Sequence, residues 1–486
     1  MEKQWMWLAL LVFLILGVRL YFAYETQHFA TSESYLHIRS IESLSTGKLL
    51  VNDPLGYGGR LLIESPLFNM IITFFTLFLP FNFALKFIPN LFASILIIPI
   101  YLISYRLTQQ KIISFFTALL ASIIPAYLAH TYNHVIPLTI AIPLFFTIIY
   151  LWMRALDNTL TYLFVLLLLA FLHLLSLVFV LSIGIYIIIA LIEKIQVTLA
   201  ERELAIFTFF FMIWAQFIIY KKLILFHGPS VVWQNLPDQI LTTYYSGITL
   251  FGAILHIGIY PLFEGTYALY RTAFKKPDKD THILLSLTLA SAILLVFKLI
   301  DPITGFILLG ITLAILFAKS VVLLDNYFKK TKLKKYTIAI ASISIFLAIL
   351  TTAYPAYTAI QSETANTITN EEISALKELQ ETNATIASPA DYGHYITAIT
   401  HQKNVIDSYY FLRPKINERY DDISRLYKTT FETEAVEIAD KYNITYIVVP
   451  PKISDLRYGD KECFKRIHAT NIKIYKKNDE CHLVIV

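Results

Sequence analysis

The chain is 486 residues long, and 56% of its residues are hydrophobic while only 15% are charged. Its mean hydropathy is +0.60. These values exclude an ordinary soluble domain and indicate a polytopic α-helical membrane protein. The formal net charge of +5 is small, and most basic residues lie in loops between apolar runs, so nucleic acid is not an expected partner.

Apolar runs along the chain predict about eleven membrane spans, because a helix needs about 20 mostly apolar residues to cross a bilayer. The first run lacks a small-residue cleavage site, so we expect it to remain as a membrane helix rather than a cleaved signal peptide. The predicted spans are Trp5–Tyr24, Leu85–Tyr105, Ile112–Ala129, Pro137–Met153, Leu160–Leu172, Leu174–Ile192, Ala205–Tyr220, Gly247–Tyr267, Ile283–Leu299, Ile303–Ala318 and Tyr336–Ala353.

Basic residues predict which loops are cytoplasmic. Residues 271–280 hold four basic residues and residues 319–335 hold six lysines, so both segments should lie inside. This orientation requires that the apolar run Leu61–Pro80 does not cross the membrane, and we interpret it as an amphipathic helix on the outer face. The expectation is a multi-pass cell-membrane protein with a transmembrane domain over residues 1–354, whose first external loop with its surface helix is 25–84.

The last part of the chain, residues 355–486, is markedly more polar and predicts an external soluble α/β domain. A helix should begin at Thr369 or Asn370 with Glu372 placed for a capping box. Cys463 and Cys481 are either free thiols or, because an external location permits it, a disulfide. Predicted strands and helices are Thr385–Ala387, Asn404–Ile406, the helix Thr433–Tyr442, Ile444–Val449, and a closing hairpin of Ile472–Tyr475 and His482–Val486.

The first polar loop holds Glu33 just past a membrane span, followed by His37 and Arg39. A solvated loop and an acid that faces a polar cavity, for catalysis or metal binding, are both consistent with this cluster. Further along lies the Gly-rich turn DPLGYGGR, residues 53–60. Its glycines allow close backbone approach, and Arg60 is suited to binding phosphate.

Other external loops offer further polar candidates. His134, with Asn133, is a candidate for contact with a metal or a sugar, although a lone loop histidine is more often an ordinary polar contact. The third loop offers Gln234 and Asp238. Lys298 lies at the outer end of a span, where it either holds an anionic head group or extends its charge towards water.

In the soluble domain, the segment Asp391-Tyr392-Gly393-His394 directly follows a predicted strand. Such corners often carry functional side chains in α/β folds, and they also often carry a structural cap. Two N-x-T sequons begin at Asn383 and Asn443 and are candidates for glycosylation if this domain is external. Asn443 lies beside a predicted strand, so burial is the alternative to glycosylation at this site.

Several segments together resemble the catalytic subunit of oligosaccharyltransferase, a membrane glycosyltransferase family with the C-type fold, in an archaeal-sized form. ESYLHIR resembles the family's D-x-Y-Y-H-x-R pattern, with Glu33 at the metal-binding Asp, and DPLGYGGR with the apolar helix after it resembles its Y-P-L-G-R segment. IIPAYLAHTYNHV resembles the stretch with the second acidic motif. DYGHYITAITHQKNVID resembles the W-W-D-Y-G motif together with the family residues directly after that motif, and EIADKYNITYIVV also fits.

The chain departs from the family pattern at identifiable positions. The second loop has Tyr132, Asn133 and His134 where the family has carboxylates. Gln234 stands where the family's S-V-S-E motif has Glu. Pro389 and Ala390 replace the two tryptophans that, in the family, help the Asp to recognise the sequon hydroxyl. Of the three residues that recognise the hydroxyl in the family, this chain retains only the Asp, as Asp391.

The resemblance implies transfer of a glycan from a polyprenyl-(di)phosphate carrier, such as dolichol phosphate, to asparagine of acceptor proteins on the external face. Glu33 and His134 would hold a divalent metal, Mn²⁺ or Mg²⁺, on the donor phosphate, where it would act as a Lewis acid. Gln234 takes the position of a catalytic Glu. The residues placed to contact donor, acceptor or membrane lipid are His37, Arg39, Arg60, Lys298, Asp391 and Tyr392.

Two alternatives stay open. Relatives of this fold transfer a single sugar from a lipid monophosphate to a hydroxyl without metal, and Glu33 alone would suffice as the base. The chain could instead be a non-catalytic paralogue that binds a lipid-linked glycan. A chelator distinguishes the oligosaccharyltransferase-like enzyme from the metal-independent transferase, because it should stop only the former.

Overall fold

The structure is a computed structural model that describes residues 2–154, 158–241, 247–275, 278–332, 334–380, 383–413 and 415–482. The chain packs into two compact units. The membrane unit is Met1–Thr26, Ser65–Lys221 and Tyr244–Ala365, and the soluble unit is Gln27–Glu64, Lys222–Thr243 and Asn366–Val486. The soluble unit thus includes most of the first polar loop. The predicted membrane boundary between residues 354 and 355 stays a prediction, and a single helix runs past it to Ala365.

The membrane unit is built from apolar helices whose outer faces suit lipid, as at Phe13, which is 67% exposed on the first helix. Gly258, with φ +97°, separates two consecutive helices. The helices that begin in this unit are Glu2–Ala23, Leu67–Thr76, Phe81–Ser94, Ile97–Thr108, Lys111–Ser122, Pro125–Ala129, Leu138–Met153, Thr159–Leu172, Leu175–Ile192, Leu199–His227, Leu250–Ile257, Ile259–Lys275, Lys279–Val296, Pro302–Phe328 and Thr337–Ala365.

Within the described residues, seven stretches of helix are long and apolar enough to cross a membrane. They are Gln4–Ala23, Phe81–Thr108, Leu175–Ile192, Leu199–Leu241, Lys279–Val296, Pro302–Phe328 and Ala339–Lys377. Three further predicted spans coincide with shorter apolar helices, and the predicted span Gly247–Tyr267 is broken at Gly258. The chain is therefore a polytopic helical membrane protein, as predicted, with some spans made of short or interrupted helices.

The ambiguous run after the first loop forms the helix Leu67–Thr76, which has 10 residues. A helix of this length extends about 15 Å, half of a bilayer's hydrocarbon thickness, so it is too short to cross. It buries Phe68 and Ile72 and exposes Phe74. This one-sided pattern agrees with a helix that lies on a membrane face.

In the soluble unit, a short hairpin pairs β1 (Asn52–Asp53) with β2 (Arg60–Leu61). A separate five-stranded sheet contains β3 (Thr385–Ala387), β4 (Lys403–Asn404), β5 (Tyr446–Val449), β6 (Phe464–Ala469) and β7 (Lys473–Lys477). The order of its strands is β4-β3-β5-β7-β6. Strands β3, β4 and β5 run parallel, whereas β7 pairs antiparallel with β5 and β6.

Helices cover this sheet, and the core between them is continuous and apolar, with Ile447, Leu426 and Ala439 fully buried. The predicted capping box of Thr369 and Glu372 is present. The helices of the soluble unit, apart from the end of the one that reaches His227, are Ser32–Ser45, Asn370–Lys377, Gly393–Ile399, Ile416–Lys428 and Glu432–Lys441.

The closing hairpin differs from the prediction in its partner strand. Strand β7 pairs with β6, which precedes it, rather than with a strand beginning at His482. Residues 483–486 of the predicted strand lie outside the described residues. Cys463 and Cys481 form a disulfide, and Cys463 immediately precedes β6. The disulfide therefore ties the C-terminal segment to the edge of the sheet.

Candidate functional site

The helix Ser32–Ser45 carries Glu33 in its first turn, where the side chain is exposed. Most of the rest of this helix is buried, including His37, which is 4% exposed. Tyr35 packs edge-on against Tyr395 of the helix Gly393–Ile399, with 4.8 Å between ring centroids. The segment that resembles the family's first acidic motif therefore packs directly beside the segment that resembles its DYG motif.

The Gly-rich turn forms the β1–β2 hairpin, in which Gly58 and Gly59 have φ of +79° and +69°. Its tip docks on the edge strand β4. Asn404 donates its backbone N–H to the Leu55 carbonyl at 2.9 Å, and Tyr57 donates to the Asn404 carbonyl at 3.0 Å. The first loop thus extends the sheet of the α/β fold, which explains why it belongs to the soluble unit.

A buried chain of ion pairs joins these segments. The Arg39 guanidinium pairs with Asp53 at 2.5 Å, and Arg60 pairs with the other Asp53 oxygen at 2.9 Å. Arg60 also donates to Asp407 at 2.6 Å, and Arg413 completes the chain by donating to Asp407 at 2.8 Å. All five side chains are at most 7% exposed. One network therefore joins three of the segments that resemble the family: ESYLHIR, DPLGYGGR and DYGHYITAITHQKNVID.

The carboxylates of this network stay ionised. Burial by itself would raise the pKa of Asp407, but Arg413 and Arg60 lie so close that they hold it well below its usual range. The pKa of Asp53 is lowered in the same way, since Arg39 and Arg60 outweigh its burial. The predicted role of Arg39 and Arg60 in binding the donor stays untested, and the structure shows that both already neutralise buried carboxylates.

The DYG segment divides into an exposed and a buried part. Asp391 is exposed, whereas the Tyr392 hydroxyl is buried and donates to Glu372 at 2.8 Å. A Cβ added to Gly393 would lie 2.4 Å from the Asp407 Cβ, so only glycine fits there. His394 is buried with its Nε2 3.9 Å from Asp407, and burial lowers its pKa to about 3. Of the predicted binding residues in this segment, Asp391 is available to a ligand and Tyr392 is committed to Glu372.

The third-loop segment, residues 222–243, also belongs to the soluble unit. Its Asn235 side chain donates to the Tyr410 carbonyl at 2.9 Å, and Gln239 donates to Asp421 at 2.6 Å. Immediately before the first of these anchors, Gln234 is exposed with φ +52°. Its predicted catalytic role stays a prediction, and its exposure leaves the amide accessible.

In the membrane unit, His134 is buried and neither ring nitrogen has a hydrogen-bond partner among the described residues. Burial lowers its pKa to about 3, so the imidazole is neutral. His130 lies near it, with ring centroids 6.3 Å apart, and its Nδ1 is 3.8 Å from Glu363. The fully buried Arg19 donates to Thr131 at 2.7 Å and so fixes the start of this loop.

Lys298 is exposed in the membrane unit and has φ +56°. Nearby in sequence, Asp301 caps the helix Pro302–Phe328, where it accepts from the Thr304 backbone N–H at 2.8 Å. The structure therefore gives Asp301 a local structural role. The predicted contact of Lys298 with an anionic head group is untested.

The predicted metal ligands, Glu33 and His134, belong to different units. Across the residues that the structure describes, no three His, Cys, Asp or Glu side chains converge as metal ligands would. A hard divalent cation takes about six or more oxygen-rich ligands. The described side chains therefore do not fit the implied Mn²⁺ or Mg²⁺.

Sequence reasoning missed Asp407, which joins Arg60 to Arg413 in this network. The available signal was an Asp placed directly after a predicted buried strand, in NVID, together with two arginines in the first loop. Buried charges require partners, so an Asp in that position predicts a nearby arginine. Which arginine it pairs with depends on tertiary packing.

No protein-family model matches the sequence, and no curated protein matches it. Solved structures do match the fold. The Archaeoglobus fulgidus oligosaccharyltransferase in its apo form superposes with a TM-score of 0.67 at 14% identity, over 91% of this chain and 70% of that one. Crystals of the same enzyme have also been obtained in complex with Zn and sulfate.

Two further structures carry lipid phosphates. AglB from Archaeoglobus fulgidus, in complex with an inhibitory peptide and a dolichol-phosphate, matches with a TM-score of 0.63 and 15% identity over 91% of this chain and 69% of that one. ArnT from Cupriavidus metallidurans, bound to undecaprenyl phosphate, matches with a TM-score of 0.58 and 10% identity over 98% of both chains. This chain therefore has the fold of the oligosaccharyltransferase and ArnT membrane glycosyltransferases.

Proposed function

We propose that this protein is a membrane glycosyltransferase that moves a glycan from a polyprenyl-phosphate-linked donor to asparagine of acceptor proteins. The observation that carries the proposal is the convergence, on an oligosaccharyltransferase-like fold, of the three segments that resemble that family. They meet in the ion-pair network of Asp53 and Asp407, while Glu33 and Asp391 of the same segments are exposed. A fold shared at low identity does not carry function by itself, so the proposal depends on these site residues.

The chemistry assigned to Glu33 is set by the transfer itself. A bond forms between the acceptor nitrogen and the anomeric carbon of the donor sugar, and the bond from that carbon to the phosphate oxygen breaks. The lipid phosphate leaves with the bonding electrons, and the acceptor amide loses one proton. An exposed carboxylate on a helix that is anchored by its buried face is suited to accept that proton or orient the amide.

The external location of the soluble unit is part of this proposal. The positive-inside pattern supports it, because the basic segment 319–335 is expected to lie inside, and the apolar helix Thr337–Ala365 separates it from Asn366–Val486 of the soluble unit. The disulfide between Cys463 and Cys481 supports it as well, since disulfides persist mainly outside the reducing cytosol. Donor lipid, acceptor protein and the exposed residues of the soluble unit would then meet on the outer face.

A second candidate is transfer of one sugar from a lipid monophosphate to a hydroxyl acceptor. The specific observation that favours it is the ArnT match, which covers 98% of both chains, whereas the oligosaccharyltransferase match leaves nearly a third of that larger chain uncovered. Glu33 would serve as the base in this reaction too. The two candidates therefore share the carboxylate and differ in the acceptor.

The deciding experiment offers both acceptors to membranes that contain the full-length protein and a radiolabelled polyprenyl-phosphate-linked sugar. We expect label on an N-x-T peptide and no label on a hydroxyl acceptor, and we expect Glu33→Gln to lower transfer at least 100-fold. Glu42→Gln is the matched control, because Glu42 is an exposed acid on the same helix. Label on the hydroxyl acceptor alone selects the second candidate. Retention of the donor without transfer to either acceptor indicates a non-catalytic paralogue.

A further inference from the structure

The two N-x-T sequons of the chain occupy equivalent places on adjacent strands. Asn383-Ala-Thr leads into β3 and Asn443-Ile-Thr leads into β5, and these strands are parallel neighbours. The Thr445 backbone N–H donates to the Thr385 carbonyl at 2.9 Å. The two sequon asparagines therefore stand side by side at the amino end of the sheet.

Both asparagine side chains are exposed, including Asn443, for which the sequence left burial open. Both backbones are left-handed, with φ of +44° at Asn383 and +50° at Asn443. Asparagine is favoured at such positions, but the same unit accepts His401, Leu412 and Lys415 there. Backbone geometry alone therefore does not require asparagine at these two positions.

We propose that Asn383 and Asn443 are glycan attachment sites, so that this protein is itself an acceptor. This inference rests on the proposed function for the source of the glycan, which is a polyprenyl-(di)phosphate-linked donor. The carboxamide nitrogen of each asparagine forms a bond to the anomeric carbon and loses one proton. The bond from that carbon to the phosphate breaks, and the lipid (di)phosphate leaves.

The backbone hydrogen bonds of the sequons indicate whether glycan transfer comes before or after the sheet closes. Besides donating to Thr385, Thr445 accepts from the Lys477 backbone N–H at 2.9 Å. Both threonines are half-buried in the folded unit. A transferase that reads the threonine hydroxyl needs this backbone released, so transfer precedes closure of the sheet. The exposed asparagines then leave room for the attached glycans.

The position of the glycans leaves the candidate site open. Asp391 follows the carboxyl end of β3, whereas Asn383 precedes its amino end. Glycans on Asn383 and Asn443 would therefore project from the end of the sheet opposite to Asp391. We expect glycosylated protein to keep its transfer activity.

The test measures the intact mass of full-length protein purified from membranes of a host that glycosylates a secreted N-x-T reporter. We expect two glycans on the parent protein, one on Asn383→Gly and one on Asn443→Gly, and none on the double variant. Glycine keeps the left-handed backbone while it removes the acceptor amide. Thr445→Ser should keep the second glycan, whereas the isosteric Thr445→Val should lose it. Parent protein without glycans, in membranes that glycosylate the reporter, would overturn the inference.

Failure of this inference and failure of the proposed function give different results. If the parent transfers glycan to the peptide but carries none itself, the attachment sites are wrong and the proposed function stands. If both glycans are present while the protein transfers nothing, another enzyme supplies them and the proposed function is wrong. Glycans that disappear when Glu33→Gln is the sole copy in the cell would show that copies of this protein glycosylate one another.

Discussion

The two halves of the first polar loop use their charges in opposite ways. At the start of the loop, Glu33 is exposed on the first turn of its helix. Further along, Asp53 and Arg60 are buried in the network that reaches Asp407. Both halves look alike in the sequence, as polar residues in an external loop. The contrast teaches that charged residues of one loop divide into an exposed acid and a buried group that holds the soluble unit together.

The DYG segment repeats this division over four residues. Asp391 is exposed, whereas Gly393 and His394 pack against Asp407. Exposed acids therefore alternate with buried anchoring residues in both motif-like segments. If the division is functional, substitutions at the buried positions should cost folding stability, and substitutions at the exposed acids should lower activity with little change in stability.

The largest expected effect is on stability, from Asp407→Asn. The substitution leaves Arg60 and Arg413 buried without the carboxylate that pairs with both, and breaking a buried ion pair costs about 3–5 kcal/mol. We expect the soluble unit to unfold at a much lower temperature, measured by limited proteolysis of purified protein during a thermal ramp. The control is Asp421→Asn, because Asp421 is exposed and its loss should cost under about 1 kcal/mol.

An Asp407→Asn protein as stable as the Asp421→Asn control would contradict the structural role of the network. In that case the arginines would have other counter-charges, such as a bound anionic ligand. Adding the lipid phosphate would then protect the parent protein against proteolysis. The absence of such protection, together with a large loss of stability, would sharpen the distinction between the buried and exposed halves.

A smaller effect is expected from pH, through His394. Its pKa falls from 6.5 to about 3 on burial, so the unfolded chain binds a proton more readily than the folded one. The stability that this neutral histidine contributes is fully present above pH 6.5 and is lost as pH falls towards 3. The slope is at most about 1.4 kcal/mol per pH unit. Glu64 of the same unit titrates in the same interval with the opposite sign, because burial raises its pKa to about 7. The difference between the parent and a variant without the histidine therefore isolates His394.

The measurement is thermal unfolding of the soluble unit in the full-length protein at pH 7 and pH 5. We expect the parent to lose more stability over this interval than His394→Met, which does not titrate at this position. His401→Asn is the control, because His401 is exposed and asparagine suits its left-handed backbone. Equal pH slopes for the parent and His394→Met would show that the histidine does not couple to folding.

The sequence predicted the parts of the fold that local patterns specify. Strand β3, the helix that ends near Tyr442 and the capping box at Thr369 came from alternation, amphipathicity and cap chemistry. Strand β6 was missed because its outward side chains are exposed and its residues show little apolar alternation. The partner of β7 was therefore predicted to follow it in the sequence, whereas the actual partner, β6, precedes it.

The sequence alone pointed to the exposed acids of the candidate site, but it did not predict how the buried charges pair. Glu33 and Asp391 were found because an acid near a membrane face or after a strand stands out from its neighbours. The partner of Arg60 lies far along the chain at Asp407, and no local pattern links the two residues. Long-range charge pairing is set by packing, which a single sequence does not display.

The smallest expected effect on stability is from Glu33→Gln, and it is the sharpest test of the division. Glu33 lies in the first helical turn, where losing a negative charge costs about 0.3–1 kcal/mol through the helix dipole. We expect the melting temperature of the soluble unit to change little while glycan transfer falls at least 100-fold. A loss of transfer accompanied by unfolding comparable to that of Asp407→Asn would place Glu33 among the structural residues. Full transfer with unchanged stability would move the catalytic carboxylate elsewhere, and Asp391→Asn would then be the variant to assay, since that acid is exposed on the neighbouring segment.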